Sequence, residues 1–305
     1  MTLSFTSFAN VAVAGATGRL GPAIVDALVE AGFNVKALTR TPGAKYRPEV
    51  EVVVVDYLSP RELVEALQGQ NVVIVFGAWR HPGQLNLVDA AIEAGVYRFI
   101  PAMFSNDLTN PLVRQLPVHG TKLKTEAYIK AQAALGAITY NLIATGPFAD
   151  MFLPKNTWIN KSDHTVAFFD GNPDSPFTGT TRYTLGEAII SILRTGPTSD
   201  NRTYKIQRFR SSPKRMLELV KDSTPGYEWK FKEFDTLEMA RLCIDKPPET
   251  DPDCKNAYLS RGVHHEGYGG DFPSEDSLEL GLEIWSEEEY KERLIDYING
   301  KPLRG

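Results

Sequence analysis

The chain has 305 residues, 42% of them hydrophobic and 23% charged, with a formal net charge of −5. That length accommodates one large domain or a main domain with a smaller companion, and the composition is that of an ordinary globular protein. The negative balance argues against a nucleic-acid binder, whose affinity rests on neutralising phosphates. No apolar run approaches the length of a bilayer-crossing helix.

The first half alternates strand and helix signals. Asn10–Ala14 is a short apolar strand that runs straight into Gly15, Gly18 and Gly21. Leu20, Ile24, Ala27, Leu28 and Ala31 then mark one face of a helix, which Gly32 stops. Asn34–Leu38, Glu51–Val55 and Asn71–Phe76 read as strands two to four. Their unbroken β-branched runs predict strands covered on both faces, as in a parallel sheet. Ser59 stands as a helix N-cap with Pro60 at the first helical position.

Leu87, Ala90, Ala91 and Ala94 form the next helical stripe, ended by Gly95. Tyr97–Pro101 is strand five, a helix covers Lys122–Ala134, and Ile138–Ala144 is strand six. This alternation predicts an α/β fold: a doubly wound parallel (Rossmann) sheet with right-handed crossovers and a smaller C-terminal substrate-binding region. The expected division is 1–147 for dinucleotide binding and 148–305 for the substrate, the latter not an independent fold. Past residue 147, helices at Leu185–Arg194, Pro213–Lys221 and Ser286–Ile298 are separated by irregular stretches. Gly262–Gly270, which reads Gly-Val-His-His-Glu-Gly-Tyr-Gly-Gly, is a candidate mobile loop over a cleft or a passive surface loop.

The glycine turn carries the strongest chemical signal. One glycine permits a tight reversal, one lets the backbone approach a pyrophosphate, and one lets the helix pack on the strand. The helix then aims its unpaired N–H groups at the phosphates. Gly15, Thr17, Gly18, Arg19, Leu20 and Gly21 are therefore the expected pyrophosphate contacts. An NAD site usually has a carboxylate at the end of strand two, but here the chain reads Leu38-Thr39-Arg40-Thr41. Arg40 offers a planar fork for a ribose 2′-phosphate and Lys45 adds charge, which favours NADP(H). Asp56 is placed either at the adenine edge or as a local turn cap.

Other features are weaker. Arg208, Arg210, Lys214 and Arg215 read as a solvated cluster. Cys243 and Cys254 form no CxxC pair, which fits a reducing compartment and predicts no disulfide framework or zinc site. The opening Met1–Phe8 lacks the basic and apolar regions of a signal peptide, so the cytoplasm is the default expectation.

Gly-Ala-Thr-Gly-Arg-Leu-Gly at 15–21 and Leu-Thr-Arg at 38–40 resemble the NmrA-like and isoflavone-reductase-like atypical short-chain dehydrogenases. Val-Tyr-Arg-Phe-Ile-Pro at 96–101, Ile-Thr-Tyr at 138–140 and Leu282–Tyr290 are similar to later stretches of that family. Ala-Thr-Gly-Pro-Phe at 144–148 looks like its loop near the nicotinamide. The resemblance implies NADPH-dependent reduction of aromatic metabolites, or dinucleotide binding without turnover in regulatory members. It adds Gly77, Lys122, Gly146 and Phe148 to the cofactor contacts, and Met103, Phe104, Phe148 and Phe152 to the substrate wall. One departure stands out. The reductases read Pro-Ser-Glu-Phe-Gly after strand five, whereas this chain has Pro101-Ala-Met-Phe-Ser105, with polar groups replaced by Ala102 and Met103.

Hydride transfer needs orientation, a dry pocket and a proton source. The Tyr-x-x-x-Lys pair of conventional short-chain dehydrogenases is missing after strand four, and Tyr297/Lys301 match it only in the C-terminal tail. By the resemblance, the catalytic group is Lys122. It shares a helix face with Glu126 and Ile129, and partial burial or a nicotinamide cation would lower its pKa towards neutrality. Lys124 is the fallback and His119 a second candidate acid. His264 and His265 are adjacent and point oppositely in extended chain, so no metal site is expected. The expected function is an NADPH-dependent reductase of a small, largely apolar, aromatic secondary metabolite. The alternatives are a non-catalytic NADP(H)-sensing regulator, which would have a protein partner, and a cofactor-dependent isomerase. Neither nucleic acid nor membrane is an expected partner, and both monomer and homodimer are open.

Overall fold

The computed structural model describes residues 8–77, 83–248 and 250–303. The chain forms two compact units, each assembled from separate stretches. The first comprises the chain up to Phe104 with Thr121–Ile143 and Gly186–Tyr204. The second comprises Ser105–Gly120, Ala144–Leu185 and the chain from Lys205 onward.

A seven-stranded sheet organises the first unit. Its strands are β1 (Asn10–Ala14), β2 (Asn34–Thr39), β3 (Glu51–Val54), β4 (Val72–Val75), β5 (Arg98–Ile100), β6 (Thr139–Ala144) and an outer strand, Arg202–Lys205. Across the sheet the order is the outer strand, β6, β5, β4, β1, β2, β3. Every neighbouring pair from β3 to β6 is parallel. This is the doubly wound arrangement, with the chain reversing direction across the sheet between β1 and β4. Val11–Ala14 and Val72–Val75 are fully buried because strands on both sides and helices on both faces cover them. The valines of β3 behave differently: Val52 and Val54 stay 38% and 49% exposed. β3 is the sheet's edge, so a run that reads as a central strand has a neighbour on one side only.

Helices α1 (Gly21–Glu30), α2 (Pro60–Leu67) and α3 (Gly83–Glu93) alternate with these strands. Pro60 does open α2, but the Ser59 side chain makes no capping hydrogen bond. Glu62 takes over part of that task by accepting from the Asp56 amide at 2.9 Å. The stretch from Gly186 to Thr195 packs on α1, where a Cβ at Gly186 would lie 3.1 Å from that of Ala27.

In the second unit, Ile159–Asn160, Thr165–Phe169 and Lys230–Phe234 make a three-stranded sheet, and Phe177–Gly179 pairs with Phe209–Ser211. Aromatic residues dominate its core, including Trp158, Phe177, Phe209, Trp229, Trp285 and Tyr290. Phe209 and Tyr290 stack with centroids 4.5 Å apart. Many of the aromatics after residue 147 thus serve packing.

The cysteines are a correction to the sequence expectation. Cys243 and Cys254 form a disulfide, with Cα atoms 5.4 Å apart. Cys243 follows the helix Thr236–Arg241 and Cys254 opens the helix Pro252–His264, and the hairpin between these helices brings residues eleven apart together. Spacing rules built on CxxC do not detect such a pair. Cysteine usage is therefore no argument for a reducing compartment. Among the described residues no helix is long and apolar enough to cross a membrane.

A buried arginine ties the outer strand's approach to the sheet. Arg98 on β5 is fully buried and donates to Thr139 Oγ1 at 3.2 Å, Ser199 Oγ at 2.6 Å and the Gly196 carbonyl at 3.1 Å. It also pairs with Asp200, which accepts a further 2.6 Å bond from the Tyr97 hydroxyl. Burial lowers the Arg98 pKa to about 10, still far above neutrality, so the guanidinium stays charged. Removing one member of a buried pair leaves the other charge without compensation. Arg98→Met is expected to lower unfolding stability by about 3 kcal/mol, measured as a shift in urea midpoint at unchanged slope. An unchanged midpoint would show that Ser199 and Asp200 are satisfied by other partners.

Candidate functional site

The six parallel strands, β1 to β6, present their C-terminal ends on one edge of the sheet, where ligands bind in such folds. Gly15 follows β1 with φ +80°, a conformation side chains rarely adopt. A Cβ there would sit 1.7 Å from the Phe76 carbonyl oxygen, so no other residue fits against the end of β4. The Gly18 amide donates to the Gly15 carbonyl at 2.9 Å and closes the turn. Gly21 opens α1, and a Cβ on it would meet the Ala16 carbonyl oxygen at 2.3 Å. Thr17, Gly18 and Arg19 are exposed, with Leu20 half-buried behind them. The turn therefore presents backbone amides and the positive end of α1 at the sheet edge, the donor set that a pyrophosphate requires.

At the end of β2, Arg40 is exposed and Lys45 is exposed five residues on. Arg47, the third cation of this loop, is committed to Glu30 at 2.9 Å and Glu49 at 3.6 Å. Asp56 is exposed, and its Oδ1 accepts from the Leu58 amide at 2.9 Å, the geometry of a turn cap. Gly77 is exposed beyond β4. Two residues that periodicity does not mark complete this corner. Tyr57 is buried, donates to the Leu38 carbonyl at 3.1 Å and packs its Cβ where a side chain on Gly83 would fall. Burial pushes its pKa up to about 12, against smaller opposing influences from the Gly15 backbone and the Arg40 charge. Tyr46 is half-buried in the loop after Lys45.

After β5 the chain reads Pro101-Ala-Met-Phe. Ala102 and Met103 are buried, and Phe104 stacks on Phe76 with centroids 5.2 Å apart. Gln84, fully buried on α3, links this turn to the lysine helix. Its Oε1 accepts from the Ala102 amide at 3.1 Å and its Nε2 donates to Thr125 Oγ1 at 2.9 Å. Lys122 lies one turn before Thr125 on the helix Gly120–Ala134 and is half-buried. Glu126 is buried and bonds Lys130 at 2.6 Å. Lys124 lies on the exposed side of the same helix. Gln84 is invisible to motif reading because a lone glutamine in an amphipathic stripe has no spacing signature.

In the second unit, Gly146 adopts φ +59° and its amide donates to the Ser105 carbonyl at 3.0 Å. A Cβ there would lie 3.0 Å from the Thr178 carbonyl oxygen. The loop continues with Thr180 donating its amide to the Pro147 carbonyl at 2.9 Å and accepting the Ala149 amide at 2.8 Å. Phe148 is buried, and Phe152 stacks on Trp158 at 5.8 Å, against the aromatic core. His119 is buried in the short turn Pro117–His119. Among the described residues no group of three or more His, Cys, Asp or Glu could hold a metal ion.

Residues 8–202 match the model of the NmrA-like family. The chain is 32% identical over 283 residues to oxidoreductase aprR of Aspergillus flavus, covering 86% of this chain and 90% of that one. The fold matches a solved complex of AtPrR2 with NADP+ and (+)-pinoresinol at a TM-score of 0.72, with 20% identity over 94% of this chain and 99% of the other. It also matches the NADPH complex of the quinone oxidoreductase QOR2 of Escherichia coli at 0.70, with 18% identity, covering 93% and 99% of the two chains. The chain belongs to the NmrA-like family, and its sequence kinship is with oxidoreductases of that family.

The Gly262–Gly270 segment is closely held within its unit. His264 is buried and stacks flat on Phe169 at 4.1 Å, and His265 Nδ1 lies 2.6 Å from Asp170 Oδ2. Asp170 also accepts from the Thr236 amide and hydroxyl, each at 2.6 Å. Burial works against the Asp170 carboxylate, yet the Thr236 and His265 hydrogen bonds together hold its pKa below the ordinary aspartate value. The Gly270 carbonyl accepts from the Thr178 amide at 2.9 Å. Burial lowers the His264 pKa to about 3, with the Asp170 charge a smaller opposing influence. His264 is therefore neutral in the folded protein, while the unfolded chain takes up a proton below about pH 6.5. Its contribution is fully present above that pH and is lost as the solution is acidified towards the folded value. Between pH 6.5 and 5, wild type is expected to lose about 1–2 kcal/mol more unfolding stability than His264→Phe. Parallel losses in denaturant titrations of the two would place the acid sensitivity elsewhere.

Proposed function

We propose that the protein is an NADPH-dependent reductase of a small, largely apolar, aromatic metabolite. The single observation that carries this is the glycine turn, with Gly15 seated against the Phe76 carbonyl, beside a β2 end that offers Arg40 instead of a carboxylate. The residues present fit a phosphorylated dinucleotide. Gly15, Gly18 and Gly21 let the backbone approach a pyrophosphate at the N-terminal end of α1. Arg40 and Lys45 supply two exposed cations for a 2′-phosphate. In functional terms residues 1–147 hold the cofactor and 148–305 receive the substrate, with Gly146 and Phe148 at the nicotinamide and Phe152 and Met103 behind the substrate.

Bound NADPH supplies a hydride. The chain's part is to orient the acceptor carbon, exclude water and deliver a proton. Lys122 Nζ, half-buried on its helix, is the proton donor. Gln84 positions it indirectly by fixing Thr125, one turn along the same helix, to the turn after β5. With Ala102 and Met103 in that turn, no side-chain proton source is offered there. The named relatives are called oxidoreductases, and a benzylic ether reductase of Pyrus communis is 30% identical over 182 residues, 53% of this chain. These support a reductase reading while leaving the acceptor open among enones, benzylic ethers and imines.

Purified protein with NADPH and a panel of those three acceptor classes tests the proposal by loss of absorbance from the reduced nicotinamide. Lys122→Ala is expected to cut kcat about 100-fold or more while the NADPH Kd changes less than threefold. Undiminished turnover in the variant removes Lys122 from the mechanism. Tight NADPH binding with no turnover on any acceptor favours the regulatory reading instead.

A further inference from the structure

The loop from Arg40 to Val50 holds an aromatic residue that the dinucleotide motif does not explain. The Tyr46 hydroxyl oxygen is shielded from solvent and completes no hydrogen bond, although it lies within reach of the Thr17 side chain in the glycine turn. A phenol that has lost water without gaining a partner is destabilising unless something else supplies the bond. Its surroundings indicate what that would be. Tyr46 and the Arg40 guanidinium both act electrostatically on the Tyr57 hydroxyl, so the three side chains share one corner at the end of β2. Tyr57 is engaged with the Leu38 carbonyl and Arg47 with Glu30 and Glu49, whereas Arg40 and Lys45 have no ion-pair partner among the described residues. Two uncommitted cations and one unsatisfied hydroxyl therefore border a turn built for phosphate. The donors suit a dianionic phosphate monoester on a ribose better than a hydroxyl, which needs neither charge.

We propose that Tyr46 is a specificity-determining residue, donating from its phenolic hydroxyl to the ribose 2′-phosphate of the cofactor alongside Arg40 and Lys45. This rests on the dinucleotide reading given above and adds to it a neutral donor that discriminates NADPH from NADH. A phenolic O–H to a phosphate oxygen is a hydrogen bond to a charged group, stronger than a neutral one.

The test is titration of wild type, Tyr46→Phe and Arg40→Ala with NADPH, NADH and adenosine 2′,5′-bisphosphate, followed by calorimetry. Tyr46→Phe keeps the ring and removes only the hydroxyl. It is expected to weaken NADPH and the bisphosphate about tenfold, to leave NADH within twofold, and to leave the thermal midpoint of the free protein unchanged or raised. Equal weakening of NADPH and NADH would overturn the proposal, because it would place the hydroxyl on a part the two cofactors share. If wild type prefers NADPH, Arg40→Ala loses that preference and Tyr46→Phe keeps all of it, only the role of Tyr46 falls. If wild type shows no preference between the two cofactors, the 2′-phosphate reading fails and takes the role of Tyr46 with it.

Discussion

Gly15 pressed against the Phe76 carbonyl is the contact on which the first unit's chemistry depends. β1 and β4 are neighbours in the sheet, and the chain reverses its direction of winding between them. A crevice opens at that reversal only if the segment leaving β1 turns sharply over the end of β4. With a Cβ 1.7 Å from a backbone oxygen, the turn would have to lift off, and α1 would no longer point its amides at the crevice. The close approach of Gly21 to Ala16 continues the same requirement into the helix. Neither glycine needs to touch a ligand through a side chain to be indispensable to binding one.

Buried polar groups do the secondary positioning. Gln84 spans α3, the turn after β5 and the lysine helix with two hydrogen bonds, and being fully buried it has no water to exchange them for. Replacing it with an apolar residue would leave the Ala102 amide and the Thr125 hydroxyl to find other partners. Arg98 plays the corresponding part on the other side of the sheet, joining β5 to Gly196, Ser199 and Asp200. Each such group is costly to bury and costlier to orphan, so together they specify one arrangement of helices around the sheet.

How much of this was legible in the sequence follows from what periodicity can and cannot encode. Apolar runs located β1 to β6 to within two residues because covered strands hold few polar side chains, and the glycine spacing marked the turn because its reason is steric. β3 misled, since an edge strand can carry the same valines as a central one when only one neighbour constrains it. The disulfide escaped because Cys243 and Cys254 meet through a helical hairpin, not through a motif. Tyr46, Tyr57 and Gln84 escaped for a different reason. Their roles arise from single hydrogen bonds and packing at the ends of elements, where no repeat distinguishes them. Phe152, expected at the substrate, also stacks on Trp158.

The departure at Ala102 and Met103 bears on the proposed chemistry through burial. Both side chains are packed inside the first unit, 5% and 3% exposed. A polar residue at either place would need partners of its own, and the Ala102 amide already takes the available acceptor on Gln84. The turn after β5 is thereby tied through Gln84 to the helix that carries Lys122.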